Sequence, residues 1–255
     1  MARIFVAVRF THTDRCFFLH FMKYYLSLGV NLFLINFNYR FDENKCAFDD
    51  FIGYVNTSEY LQYIRYNIGP NTLETAEGGN INMLKELVKE HACENDYIIP
   101  ADSDEFHKYS AISESLIDLI TMMSTNNITY IHGPTCERIS DDGSVIPIKE
   151  DIDIFIQFPK NNPKLFVQPK VSIIHAKYYR YIGVGHHYIE KATIDKLSIV
   201  TKYGSITHHF RWNLQGKERI TNWIKLWSNS TVGWKDIKKY EKMLAIFETN
   251  LIEYC

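Results

Sequence analysis

Hydrophobic runs and helical periodicities alternate along the first hundred residues. Short apolar or β-branched runs predict buried strands at 4–8, 32–35, 60–66 and 97–101. Apolar residues recur at helical spacing after the capping cluster at 11–14, up to a C-cap at Gly29, and again from Gly78-Gly79-Asn80 onwards. Strands that alternate with helices predict a parallel sheet covered by helices, in which ligands bind at the carboxyl ends of the strands.

The second half of the chain has longer polar connections between its apolar runs. Alternating or β-branched segments predict strands at 128–132, 153–158, 171–175 and 205–210. Two amphipathic helices are expected near the end, around 220–227 and 235–250. The fold class predicted from this pattern is α/β, with a Rossmann-like, mostly parallel sheet flanked by helices in a single domain of 255 residues.

Charge and cysteine content exclude several classes of function. The chain has 28 Lys and Arg against 30 Asp and Glu, a net charge of −2, so no nucleic-acid partner is expected. Its five cysteines are odd in number and lack CxxC spacing, which favours reduced thiols. There is no signal-peptide pattern and no apolar run of about 20 residues, so a cytoplasmic protein with at most peripheral membrane contact is expected.

The segment YIIPADSDEFHKY, residues 97–109, carries the first candidate chemistry. Asp102 and Asp104 are two residues apart at the end of a predicted strand, so their side chains point the same way in extended backbone. Paired carboxylates suit a divalent cation that keeps positions open for phosphate oxygens. A solvated acidic turn is the alternative. The strand-end position favours a site.

The remaining candidate chemistry comes from two histidine pairs, His186-His187 and His208-His209, and from one acidic residue. At His208-His209, alternation along a strand places the two rings on opposite faces, so one of them is expected to enter a site. Such a histidine can complete a metal site or donate to phosphate. Glu137, next to Arg138, can serve as a general base, or it can form an ordinary surface ion pair. Both interpretations of Glu137 remain open.

Six segments occur in an order that resembles a known family. They are VAVRFTHTDRCFFLHFMKYYLSLGVNLFLINFN, EGGNINMLKELVKEHACENDYIIPADSDEF, GPTCERISDDGSV, QFP, GVGHH and HHFRW. Together they resemble the glycosyltransferase family 2-like proteins with the GT-A fold, in the branch whose metal motif is DxDEF. The chain departs from the family at Thr13-Asp14, where Asn-Glu is common, and at Asn36 and Asn38, where an Asp-rich loop is common. Glu137 stands where the family more often has Asp.

The resemblance implies a metal-dependent transfer of sugar from a nucleotide-diphosphate sugar to a glycan, lipid-linked or protein hydroxyl, with inversion. It implies a nucleotide-sugar-binding half at 1–106, an acceptor-binding half with C-terminal helices at 107–255, and Glu137 as the base. The metal, Mn²⁺ or Mg²⁺, is expected on Asp102 and Asp104, with His208 or His209 completing the site. Donor contacts are expected from Asp14, Asn36, Asn80, Asp102 and Ser103. Acceptor-side positions are expected for Glu105, Arg138, His186 and His187. Phe106 is expected to turn into the core and anchor the loop.

Two alternatives belong to other classes. A nucleotidyltransferase also uses paired carboxylates and a metal, but it normally has a glycine-rich phosphate loop after its first strand, and RFTHTDR has no glycine. A non-catalytic carbohydrate-binding protein could have kept the fold while its site drifted.

Overall fold

The computed structural model describes residues 2–39, 44–70, 80–110, 112–162, 169–190, 198–200, 205–228 and 234–248. The strands within these ranges are β1 Ile4–Phe10, β2 Leu32–Tyr39, β3 Ile64–Pro70, β4 Tyr97–Asp102, β5 Glu105–Lys108, β6 Ile128–Gly133, β7 Thr135–Ile139, β8 Lys160–Asn162, β9 Lys170–His175, β10 Ser198–Val200 and β11 Ile206–His209. The helices are α1 Arg15–Ser27, α2 Lys45–Thr57, α3 Asn80–His91, α4 Leu116–Thr125, α5 Ile154–Gln157, α6 Leu214–Ser228 and α7 Trp234–Glu248. None of these helices is long and apolar enough to span a membrane.

The chain divides into two compact units that interleave in sequence. The first unit consists of Met1–Thr135 and Gln168–His208, and the second of Cys136–Val167 and His209–Cys255. The predicted single domain, with halves at 1–106 and 107–255, stays a prediction.

The first unit is built on a seven-stranded sheet in the order β10-β6-β9-β4-β1-β2-β3. β1 is parallel to β2 and β4, and β2 is parallel to β3, whereas β9 is antiparallel to both β4 and β6. The predicted α/β class with a mostly parallel central sheet and flanking helices is therefore confirmed. The chain runs from β1 outward to β3 and then returns to β4 on the other side of β1. The topological switch point lies between β1 and β4.

Aromatic packing fixes α1 on this sheet. Phe10, at the end of β1, has its ring 5.5 Å from that of Phe21 and 5.8 Å from that of Phe18, both in edge-on geometry. Such edge-to-face pairs add to the stabilisation from buried area. The helix ends in a turn at Gly29, whose φ of +91° belongs to the left-handed region that glycine adopts without a Cβ clash. The C-cap of α1 is Leu28, so the predicted C-cap at Gly29 is wrong by one residue, and Gly29 is the left-handed residue that follows the cap.

The second unit holds β7 and β8, which pair antiparallel with Glu137 opposite Asn162. Its core is a small apolar cluster in which α6 and α7 take part. The buried members of this cluster are Ile139, Trp212, Ile220, Met243 and Phe247. The rings of Trp223 and Tyr240, one from each helix, stack with 5.9 Å between centroids. The two late amphipathic helices are thus confirmed.

Two strand predictions need correction. The segment 153–158 forms the short helix α5, because the Asp153 carboxylate caps it and accepts from the backbone N–H groups of Phe155 and Ile156 at 2.8 and 3.3 Å. The segment 60–66 is partly a 3-10 helix, Glu59–Tyr63, and the strand begins at Ile64. In both cases the apolar content was recognised, but the cap or turn that precedes it was missed.

Candidate functional site

The predicted acidic motif lies at the switch point of the first unit. Asp102 is the last residue of β4, and Arg9, near the end of β1, is its partner in the strand register. The carboxyl ends of these two parallel strands therefore carry opposite charges side by side. In open α/β sheets this is the place where ligands bind.

Lys170 lies directly against the acidic motif. Its Nζ donates to Asp102 Oδ2 at 2.9 Å and is 2.8 Å from Glu105 Oε1. The other carboxylate oxygen of Glu105 accepts from the backbone N–H of Asp102 at 3.1 Å. The Lys170 and Glu105 side chains are 5% and 0% exposed, whereas that of Asp102 is 36% exposed. Asp102 is therefore the member of this cluster that faces solvent.

The charges in this cluster stabilise one another. Burial acts to raise the pKa of Asp102, but the positive charge of Lys170, with a smaller effect of Arg9, outweighs it and holds the pKa well below its usual 3.8. Burial likewise acts to lower the pKa of Lys170, but Asp102 and Glu105 raise it above its usual 10.5. Both groups are charged at neutral pH, as close opposite charges favour.

The residues after the motif are locked into the core. Phe106 is fully buried, and its ring stacks on that of Tyr25 with 6.3 Å between centroids, so the predicted anchoring role is confirmed. The Tyr25 hydroxyl donates to the Glu105 carbonyl at 3.0 Å. His107 is also buried, and its ring nitrogens contact the Pro100 carbonyl and the Thr207 hydroxyl, each at 2.8 Å. Because a carbonyl can only accept, the Pro100 contact places the imidazole proton on Nε2.

The alternative of a solvated acidic turn is wrong. Ser103 and Asp104 are 3% and 1% exposed, and Glu105 is fully buried. The structure therefore places three of the four polar side chains of DSDE inside the protein. In the part of the chain that the structure describes, no three His, Cys, Asp or Glu side chains form a group that could hold a metal ion. The metal ligands predicted at Asp102, Asp104, His208 and His209 stay a prediction.

A histidine with unusual backbone geometry lies in the first unit. His186 and Gly185 have φ values of +59° and +68°, and such a conformation is strained for a residue with a side chain. His186 is buried, and its Nδ1 has no hydrogen-bond partner among the described residues. The same holds for the buried hydroxyl of Tyr179. Burial lowers the pKa of His186 to about 3. The negative charge of Asp102 opposes this lowering, and the positive charge of Lys170 adds to it.

The neighbouring His187 has a different environment. It is half-buried, and its Nδ1 donates to the Pro169 carbonyl at 3.1 Å. His208 is buried on β11, which pairs with β5 in the first unit. Both histidines therefore keep their predicted roles as predictions.

Two of the predicted donor contacts, Asp14 after β1 and Asn36 on β2, take part in local networks. The Asp14 carboxylate accepts from the backbone N–H and the hydroxyl of Thr11 at 2.8 and 2.9 Å, closing a capping box. Asn36 is fully buried, donates to Asn67 Oδ1 at 2.7 Å and accepts from Asn38 at 2.9 Å. The Asn80 side chain lies outside the described residues. The donor roles of these residues stay predictions.

The second unit has its own buried carboxylate. Glu137 is fully buried; its Oε1 is 3.0 Å from His209 Nδ1 and 3.8 Å from Arg211 Nη2. Its Oε2 has no hydrogen-bond partner among the described residues. The ordinary surface ion pair considered for Glu137 is therefore wrong. Its partners were present in the quoted HHFRW segment, two residues apart.

Arg138, predicted on the acceptor side, is bound within the second unit. Its Nε donates to the Phe158 carbonyl at 2.9 Å, its Nη1 donates to Asn161, and its guanidinium lies 5.5 Å from the centre of the Phe155 ring. These contacts hold β7, β8 and α5 together. They account for the burial of Arg138 without a ligand.

The residue that sequence reasoning missed at the first cluster is Lys170. It was visible as a lysine directly before an apolar run, where β9 begins. Its pairing with Asp102 and Glu105 depends on β9 lying antiparallel next to β4. Nothing in the local sequence indicates that placement.

Comparisons with known proteins give limited information. No family model matches the chain, and no curated protein matches it. Among solved structures, the chain is similar to HddC from Yersinia pseudotuberculosis, with 14% identity and a TM-score of 0.36, covering 82% of this chain and 90% of that one. It is also similar to an apo UDP-glucose pyrophosphorylase, with 9% identity, a TM-score of 0.37 and the same coverages. Values this low assign no function, so the fold class rests on the strand order itself.

Proposed function

We propose that the protein is a glycosyltransferase that takes a sugar from a nucleotide-diphosphate sugar and moves it to a hydroxyl acceptor. The observation that carries the proposal is the position of Asp102, the exposed member of a buried acidic motif, at the switch point of a mostly parallel sheet. The ordered sequence landmarks of the family 2-like glycosyltransferases support it.

The loop after β1 favours this class over a nucleotidyltransferase. A phosphate loop presents free backbone N–H groups to an anion. Here the backbone N–H of Thr11 already donates a hydrogen bond to the Asp14 carboxylate. That carboxylate also brings a negative charge into the loop. This arrangement disfavours phosphate binding at Thr11 and leaves Arg9 as the nearby cation on β1.

The proposed chemistry is a single displacement with inversion. The acceptor oxygen forms a bond to the anomeric carbon while the bond from that carbon to the diphosphate oxygen breaks. Glu137 receives the acceptor proton in this proposal, and its Oε2 is suited to do so because His209 contacts the other oxygen. His209 then acts as a positioning residue for the carboxylate.

The proposal includes a metal ion, but the described residues fit it only in part. Carboxylate oxygens are suitable ligands for Mn²⁺ or Mg²⁺, and Asp102 and Asp104 would hold the ion, with His208 as the further ligand, since His209 contacts Glu137. The fit is incomplete, because Asp102 Oδ2 is already bonded to Lys170. When bound, the ion would neutralise the leaving diphosphate.

The first experiment measures sugar transfer with UDP-, GDP-, dTDP- and CMP-sugars, chosen after a thermal-shift screen with Mn²⁺. Asp102→Asn is expected to lower kcat/KM roughly a hundredfold, about 2.7 kcal/mol, since it removes a carboxylate that would hold the ion that neutralises the diphosphate. Glu137→Gln is expected to lower kcat by a similar factor with little change in KM. Asp49→Asn, on the exposed face of α2, is the matched control and should transfer normally.

The products separate the three classes of function. A glycosyltransferase releases a nucleoside diphosphate or, for a CMP-sugar, the monophosphate. A nucleotidyltransferase releases pyrophosphate from a nucleoside triphosphate and a sugar phosphate. A carbohydrate-binding protein shows a thermal shift and no turnover. Wild-type transfer rates in both Asp102→Asn and Glu137→Gln would refute the proposed site.

A further inference from the structure

The acidic motif of the first unit already contains a cation. Lys170 Nζ donates a charge-assisted hydrogen bond to Asp102 Oδ2 at 2.9 Å, and it forms an ion pair with Glu105 Oε1 at 2.8 Å. Lysine is rarely this buried unless it is paired. The second oxygen of Glu105 accepts from the Asp102 backbone, so the geometry of the three residues is fixed from both ends.

We propose that Lys170 is the resident cation of the Asp102–Glu105 pair and keeps a divalent ion off these carboxylates while no donor is bound. The inference concerns the same site as the proposed function, and it adds a residue that determines which cation the site accepts. A divalent ion that approaches Asp102 meets an ammonium group already bonded to Oδ2. The two cations would repel each other at close range in a poorly solvated site.

Charge balance gives the proposal a second consequence. At their formal charges, Asp102, Asp104 and Glu105 bring three negative charges and Lys170 and Arg9 bring two positive ones, which gives a net charge of −1. A divalent ion alone would change this net charge from −1 to +1. A diphosphate that arrives with the ion restores the balance. We therefore expect the ion to bind together with the donor and weakly by itself.

The test measures binding of Mn²⁺ alone, by the loss of the free-ion electron paramagnetic resonance signal, in nucleotide-free protein. Wild type is expected to bind weakly. Lys170→Met is expected to bind at least about tenfold more tightly, because the ammonium group that competes for Asp102 Oδ2 is gone. Adding Asp102→Asn to Lys170→Met should abolish the gain. Lys45→Met, which removes a lysine from the exposed Lys45–Asp49 pair, is the matched control and should leave Mn²⁺ affinity unchanged.

Two outcomes overturn the proposal. One is a folded Lys170→Met, or Lys170→Gln if the first variant does not fold, that binds Mn²⁺ no better than wild type. The other needs no lysine variant: tight Mn²⁺ binding by the wild-type protein that disappears in Asp102→Asn. Both results are independent of sugar transfer, so a failure here is distinct from a failure of the glycosyltransferase proposal.

Discussion

The cluster around Asp102 in the first unit and the cluster around Glu137 in the second hold their charge in different ways. In the first unit, a lysine lies between Asp102 and Glu105, and Asp102 remains about one-third exposed. In the second unit, Glu137 is fully buried against His209, with the Arg211 guanidinium further away. The first arrangement has a strong internal cation and an open edge, which suits the binding of a charged ligand. The second has a spare carboxylate oxygen, which suits the acceptance of a proton.

The largest expected effect is a loss of stability when the lysine of the first cluster is removed. Lys170→Met should lower the free energy of unfolding by about 3–5 kcal/mol, because breaking a buried ion pair leaves uncompensated charge. Urea denaturation of the wild type and the variant measures this loss. Adding Glu105→Gln to Lys170→Met should recover part of it, since the fully buried carboxylate is then neutral. If the single variant is as stable as wild type, Lys170 is not the counter-ion that its distances indicate.

The same contrast shows which parts of the structure sequence patterns can predict. β1, β2, β4 and α1 were predicted because their apolar periodicity and caps are local. The strand-end position of Asp102 followed from them. The depth of burial of Glu105 and Glu137 did not follow, because each depends on a partner that is far along the chain. Glu137 and His209, for example, are 72 residues apart in sequence.

A second limit of sequence patterns concerns segments whose type is decided by one side chain. At 153–158 the apolar spacing fits a strand as well as a helical turn, and the Asp153 cap selects the turn. The helices α2 and α4 were missed, although α4 begins with a serine cap, Ser115, that accepts from the Asp118 N–H at 3.1 Å. These segments do not carry the candidate chemistry, so the interpretation of the site was unaffected.

A smaller loss of stability is expected at low pH from the protonation of His107, whose neutral imidazole lies close to the first cluster. Burial lowers the pKa of His107 from 6.5 to about 4. The Lys170 charge adds to this lowering, whereas the hydrogen bond to Pro100 opposes it. The unfolded chain therefore binds more protons than the folded one between these values, and stability must fall as pH drops from about 6.5 towards 4. The loss attributable to His107 is on the order of 3 kcal/mol at the acid end.

His107→Asn tests this dependence, because an amide can donate to Pro100 and accept from Thr207 without taking a proton. Its free energy of unfolding, measured in urea from pH 7 to pH 4, should fall less steeply than that of wild type. The remaining slope is expected from other groups, of which His186 is one. Equal slopes for the two proteins would show that His107 is not a buried neutral base.

The smallest expected effect is at the second cluster. Arg211→Met should lower the free energy of unfolding by about 1 kcal/mol or less, because a partly exposed cation contributes little. The Arg211 side chain is 22% exposed and 3.8 Å from Glu137 Oε1, whereas His209 is 3.0 Å from the same oxygen. Arg180→Met, which removes an exposed arginine that lies over the Tyr181 ring, is the control for the loss of an arginine. A loss as large as that of Lys170→Met would make Arg211 the main counter-ion of Glu137, and the two clusters would then be electrostatically alike.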